Sequence, residues 1–263
     1  IVLASTTSTV NSGLFDNILP AFTEKTGISV RVVGVGTGQA IKVAERGDAD
    51  VLLVHHKISE LIFVERGFGI KRYDVMYNDF VVVGPKLDPA GIQSVKSVVV
   101  AYQKIAATNS MFLSRGDDSG THKRSLEFWR QASVDVNSAS GKWYRESGSG
   151  MGATLNIAMS VNGYTLTDRA TWEAFKNKGS LKLLFEGGPS LRNQYGIIMV
   201  NPSLHKHVKA NLASEFIGWL ISEDGQAVIN GFRLNGNQMF FANGKLRQNT
   251  NRDRNSFKLG TRQ

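Results

Sequence analysis

Tyr77-Asn78-Asp79-Phe80-Val81-Val82-Val83-Gly84-Pro85 reads as one strand, apolar and largely β-branched from Phe80 to Val83 and ended by Gly84-Pro85. A second run of this kind is QYGIIMVNP, residues 194–202. Between and around them, strand-like and helix-like segments alternate with short connections, the pattern of an α/β protein. No repeat and no low-complexity linker interrupts the chain. Two lobes must therefore be joined by crossing strands, and these two runs are the candidates. The expected architecture is two α/β lobes joined by two crossover strands, with a ligand in the cleft. Residues 1–79 plus 198–263 would form the first, discontinuous lobe, and residues 80–197 the second.

The 263 residues, 41% hydrophobic and 20% charged, suffice for two such cores. No run of eighteen apolar residues exists, so no membrane-spanning helix is expected. Ile1-Val2-Leu3-Ala4 begins directly as a strand, and an export signal, if there was one, has been removed. Cysteine is absent, which excludes disulfides, thiolate catalysis and cysteine-bound metals. The net charge of +9 and a pI of about 9.8 favour acidic partners: a small anion, an anionic surface or nucleic acid. The dense basic segment is the tail, with Lys245, Arg247, Arg252, Arg254 and Lys258 among asparagines, and reads as a solvated end.

Working outward from the crossing strands, Ile1–Ser5, ISVRVVGVG and ADVLLVHH read as strands, the last apolar enough to be a buried parallel strand. MFLSRG and LKLLFEG follow as strands. SGLFDNILPAFTEKTG, QAIKVAERG, KRSLEFWRQA, ATLNIAMSVNG and RATWEAFKNKG carry helical spacing, with Pro20 expected to kink the first. ANLASEFIGWLISEDGQAVINGF reads as one long helix.

Four segments place small polar residues between a strand or loop and a helix start. They are Ser5–Thr9, Gly34–Gln39, Arg115–Thr121 and Gly148–Ala153. A helix start exposes unpaired N–H groups and about half a positive charge, so anions settle there. Each segment alone is explained by ordinary N-capping. Together, and with one arginine, they suggest one site where helix starts converge on an oxyanion.

Gly116-Asp117-Asp118-Ser119-Gly120 also has the look of a serine-protease nucleophile loop. That reading needs a base held by a third group. His122 lies three residues on, along the incoming helix, and His55, His56, His205 and His207 sit in no recognisable motif. Nor are histidines and carboxylates spaced as metal ligands. Walker and dinucleotide-binding patterns are absent.

The alternation, the two crossover strands and the hydroxyl-rich first turn resemble periplasmic solute-binding proteins of ABC importers, of the type II superfamily. Arg115-x-Asp117-x-Ser119-Gly120-Thr121 resembles the loop of the phosphate binders. STTSTVNSGLFD, ADVLLVHH, SRGDDSGTH, MGATLNIA and YTLTDRATW resemble more closely the tungstate-binding proteins of TupA type, from residue 1 to about 240. Ser5 replaces a threonine usual there, and the basic tail is outside the likeness.

The resemblance implies a monomeric, non-enzymatic protein that binds tungstate, and molybdate, for delivery to an ABC permease. It implies an exported, periplasmic or extracytoplasmic location, no cofactor besides the oxyanion ligand, and no nucleic acid. Carried over, Thr7, Ser8, Thr37, Arg115, Ser119 and Thr121 would bind the oxyanion, with Gly152 and Ala153 offering N–H groups. Asp117 would orient Arg115, and His55 would stand behind the site, where phosphate binders place a carboxylate. A fully ionised oxyanion accepts only, so a donor-only site suits it, and phosphate, which keeps a proton, is expected to bind poorly. A phosphate- or sulfate-type binder and a basic nucleic-acid binder are the alternatives.

Overall fold

The structure, a computed structural model, describes residues 1–245. Of the basic tail only Lys245 falls among them. In chain order, β1 (Val2–Thr6), α1 (Thr7–Asn11), α2 (Leu14–Thr26), β2 (Arg31–Val35), α3 (Thr37–Glu45), β3 (Val51–Val54) and α4 (Lys57–Glu65) lead to the long β4 (Gly69–Pro85). Next come α5 (Val98–Ala107), β5 (Phe112–Ser114), α6 (Gly120–Gln131), α7 (Val136–Ala139), β6 (Tyr144–Glu146), α8 (Met151–Ser160), β7 (Thr165–Asp168), α9 (Arg169–Ala174) and β8 (Leu181–Phe185). The return is β9 (Arg192–Val200), followed by α10 (Ala210–Leu220), α11 (Glu223–Gly231) and three two-residue strands, β10 (Arg233–Leu234), β11 (Asn237–Gln238) and β12 (Phe241–Ala242).

β4 divides its pairing. Its first part, Gly69 to Asp79, lies antiparallel to β9. From Phe80 onward it pairs with β7 and β8. The sheet order β12-β4-β9-β3-β1-β2 sets the parallel strands β2, β1 and β3 beside β9, so their C-terminal ends open on one edge. In such sheets ligands bind outside the carboxyl ends of the strands.

The buried side chains separate in the same way. One pair of apolar clusters draws on residues 1–76 and 195–240, with Ala170 as the exception. The other pair draws on residues 80–191 and is built on Trp129, Tyr102, Phe112 and Tyr144 in edge and stacked contacts. Trp129, Trp172 and Trp219 are core residues, which removes them as stacking platforms for nucleic acid.

Some expectations change. α2 runs through Pro20 without interruption and ends at Gly27, whose φ of 73° is left-handed. The long helix expected over 210–232 is two, because Ser222 accepts the N–H of Gly225 and starts α11 anew. The apolar period runs on across that break, and so conceals it. α9 stops at Ala174, after which Phe175 is extended. Among the described residues no helix is long and apolar enough to cross a membrane.

Candidate functional site

Three strands hand over to three helices at one place. Thr6 ends β1 and caps α1, its hydroxyl accepting Thr9 N–H at 3.3 Å. Gly36 is the extended cap of α3. Ser119 caps α6, accepting His122 N–H at 3.2 Å. The segments approach closely because they are small: a Cβ on Gly38 would lie 2.2 Å from Asp118 Oδ2, and one on Gly120 would lie 2.9 Å from the His55 ring. Gly120 N–H donates to Thr37 Oγ1 at 3.0 Å, tying α6 to α3.

Between them is a small cavity, lined by Thr6–Ser8, Val35–Thr37, Ser119, Gly120, His55 and Arg115. Its space of about 10 Å³ is that of about one water-sized sphere and suits a small ion, not a drug-sized ligand. The first-turn N–H groups of a helix have no carbonyl partner within it, so the lining is rich in donors. Thr37 Oγ1 accepts from Gly120 and Ser119 Oγ from His122, which leaves both hydroxyl hydrogens free to donate.

Arg115 is buried and makes an ion pair with Asp117, Nη2 at 2.5 Å and Nε at 3.1 Å from Oδ2. The other oxygen of Asp117 accepts Ser119 N–H at 3.3 Å, so one carboxylate fixes both the guanidinium and the helix cap. Ser147 and Thr154, which flank Gly148–Ala153, support this loop from outside. Ser147 Oγ donates to the Arg115 carbonyl at 3.2 Å and meets Thr154 Oγ1 at 2.7 Å.

His55, the first of the two histidines of ADVLLVHH, lies just beyond β3. Burial lowers its pKa to about 4; the Asn193 hydrogen bond opposes this, and the charges of Arg115 and His56 add to the lowering. Near neutral pH the ring is therefore uncharged. Asp168, buried at the end of β7, has its carboxyl raised by burial against the pull of its Thr171 hydrogen bonds and of Arg115.

Thr7, Ser8, Thr37, Arg115, Ser119 and His55 are thus brought together, and Asp117 stands directly behind. Thr121, buried in the first turn of α6, does not line the cavity, and its hydroxyl has no partner among the described residues. Gly152 and Ala153 are exposed in the first turn of α8 and do not line the cavity. Sequence reasoning did not single out Asn193 and Asn78, polar residues within the crossing strands that hold His55. Each lies among polar neighbours at the edge of an apolar run, Asn78 beside Asp79 and Asn193 between Arg192 and Gln194, so no local signal sets it apart. Among the described residues no histidine ring bonds Ser119 Oγ, and His122 Nδ1 is taken by Ser114 Oγ at 2.9 Å and Gly116 N–H at 3.1 Å. No cluster of three metal-binding side chains occurs among the described residues.

A curled α/β sheet whose strand ends deliver helix starts to one small cavity is the arrangement of a periplasmic-type solute-binding protein. The PBP superfamily domain matches residues 1–224. The tungstate-binding protein TupA of Peptoclostridium acidaminophilum is 44% identical over 234 residues, 88% of this chain and 81% of that protein. The solved structure of the tungstate-binding protein TupA from Desulfovibrio alaskensis G20 is 44% identical, covering 93% of this chain and 99% of its own, with a TM-score of 0.83. That of the tungstate ABC transporter from Geobacter sulfurreducens is 46% identical, covering 88% and 98%, with a TM-score of 0.81. The chain belongs to the PBP superfamily and, within it, to the TupA-type tungstate-binding protein family.

Proposed function

We propose that the chain binds tungstate, and molybdate of the same charge and shape, and delivers it to an ABC import permease on the extracytoplasmic side, without catalysis. The observation that carries this reading is the lining itself. Hydroxyls, helix-start N–H groups and one arginine surround the cavity, and no carboxylate lines it. Donors to a charged acceptor contribute about 1.5–3 kcal/mol each. Thr7, Ser8, Thr37, Arg115 and Ser119 are the proposed contacts, and the orphaned Thr121 hydroxyl gains a partner in the filled site. The proposed lobes are residues 1–79 with 198–263, and 80–197, each with its own apolar clusters, closing on the anion through β4 and β9.

Titration of the purified protein with tungstate, molybdate, sulfate and phosphate tests the reading. Tungstate at a hundred times its Kd stabilises the native state by about 2.7 kcal/mol, a Tm rise of about 5–10 °C for a chain of this size. Phosphate binds at least about 100-fold more weakly, a gap of about 2.7 kcal/mol. Equal phosphate and tungstate affinities would refute it.

Gly120→Ala tests the close approach of the two sides. Its methyl group meets the His55 ring at 2.9–3.0 Å and Thr37 Oγ1 at 3.3 Å, overpacking that costs about 1–3 kcal/mol. The expected result is at least a fivefold loss of tungstate affinity by calorimetry, together with a fall of about 2–10 °C in the ligand-free melting temperature.

A further inference from the structure

The two nitrogens of the His55 ring have unequal surroundings. The ring is buried and packs on Tyr195 at 4.8 Å. Nδ1 lies 3.1 Å from Asn193 Oδ1. Asn193 Nδ2 donates to Asn78 Oδ1 at 2.7 Å, which turns its oxygen toward the histidine, so Nδ1 carries the hydrogen. Nε2, toward the cavity, has only Ser8 Oγ at 3.5 Å, the outer limit of a hydrogen bond.

A neutral His55 therefore presents a bare lone pair to a cavity otherwise built of donors. An ionised oxyanion also offers only lone pairs, and the two repel. Moving the hydrogen from Nδ1 to Nε2 would set a nitrogen lone pair against Asn193 Oδ1. Rotating the amide would break the bond to Asn78, inside two buried strands. A second proton on the ring resolves the conflict without either loss.

We propose that His55 is a direct ligand of the oxyanion, donating from Nε2 as an imidazolium formed when the anion binds, and that Asn78 and Asn193 are positioning residues that hold Nδ1–H. This rests on the oxyanion reading above. The proton comes from solvent, and one N–H bond forms at Nε2. Arg115 from the loop before α6, and His56 next in the chain, oppose the added charge. Asp117 on Arg115, and Asp168, which interacts with both Arg115 and Tyr195, are the neighbouring acids. Near neutral pH burial keeps the ring uncharged. A dianion at contact reverses the balance, since an opposite charge within a few ångströms favours the charged form.

Calorimetry of tungstate binding to the full chain at about pH 6.5, in two buffers of different ionisation enthalpy, counts the protons taken up. The expected uptake approaches about one per anion, because His55 passes from neutral to charged. His55→Gln, whose amide donates without titrating, binds tungstate with no uptake. Asn193→Asp charges the ring before the anion arrives and cuts the uptake at least twofold; it carries the test if the glutamine variant fails to fold. Wild-type binding without proton uptake, or unchanged uptake in His55→Gln, overturns the proposal and leaves the oxyanion reading standing. Absence of tungstate binding overturns both.

Discussion

Arg115→Glu loses tungstate binding by at least about 1,000-fold, a change of about 4 kcal/mol. The substitution removes the guanidinium that lines the cavity and sets a carboxylate among the remaining donors. One charge-assisted donor contributes about 1.5–3 kcal/mol, and repulsion between the new carboxylate and the dianion supplies the rest. Calorimetry measures the loss, and the ligand-free melting curve shows whether the fold survives. Arg115→Lys keeps the charge but not the planar group that holds Asp117 through Nε and Nη2, and falls between the two. Normal tungstate affinity in Arg115→Glu would refute the assignment of Arg115 and the orienting role of Asp117.

Arg72→Met has the largest expected effect on stability. Glu60 on α4 is fully buried and is met by Arg72 Nε at 2.5 Å. Gly196 on β9 gives the pair its room, since a Cβ there would lie 2.1 Å from Glu60 Oε2. Removing one member of a buried pair costs about 3–5 kcal/mol, a fall in Tm of about 10–15 °C for a chain of this length. The effect depends on pH. Burial raises the Glu60 carboxyl to about 7, against the attraction and hydrogen bond of Arg72. A group whose folded pKa is raised contributes its stability below the unfolded value, and that contribution is lost as pH rises through the folded value. Without Arg72 the main opposition to burial is gone and the carboxyl rises further, so the gap between variant and wild type is nearly constant below about pH 6 and widens as pH rises through about 7 toward pH 8. A gap that is flat across this window, in melting curves at several pH values, would contradict the account.

The strands and helices were legible because their residues follow local rules. ADVLLVHH and YNDFVVVGP are apolar over a strand's length, and Gly27 closes α2 where a left-handed residue is needed. The break between α10 and α11 was masked, because Leu220 and Ile229 keep a continuous apolar face on both sides of Ser222. The Glu60–Arg72 pair was illegible for a different reason. Its members lie on a helix and a strand, and only the packing of α4 on β4 makes a buried charge out of what reads as an exposed one.

The site divides along the same line. Residue type and order alone determined that Thr7, Ser8, Thr37 and Ser119 sit at helix starts, with Arg115 in the loop just before one, since capping and anion binding at a helix end are short-range effects. Asp117 was readable too, two residues from the arginine it holds. Which helix starts meet is a property of the sheet, whose parallel strands β1, β2 and β3 carry two of them to one edge while β5 brings the third. Tertiary structure therefore decided that α8 supports Arg115 from behind and leaves Gly152 and Ala153 exposed. It also decided what His55 faces. Asn193 and Asn78 lie far from it in the chain, and only the pairing of β4 with β9 beside β3 brings the two amides to its ring.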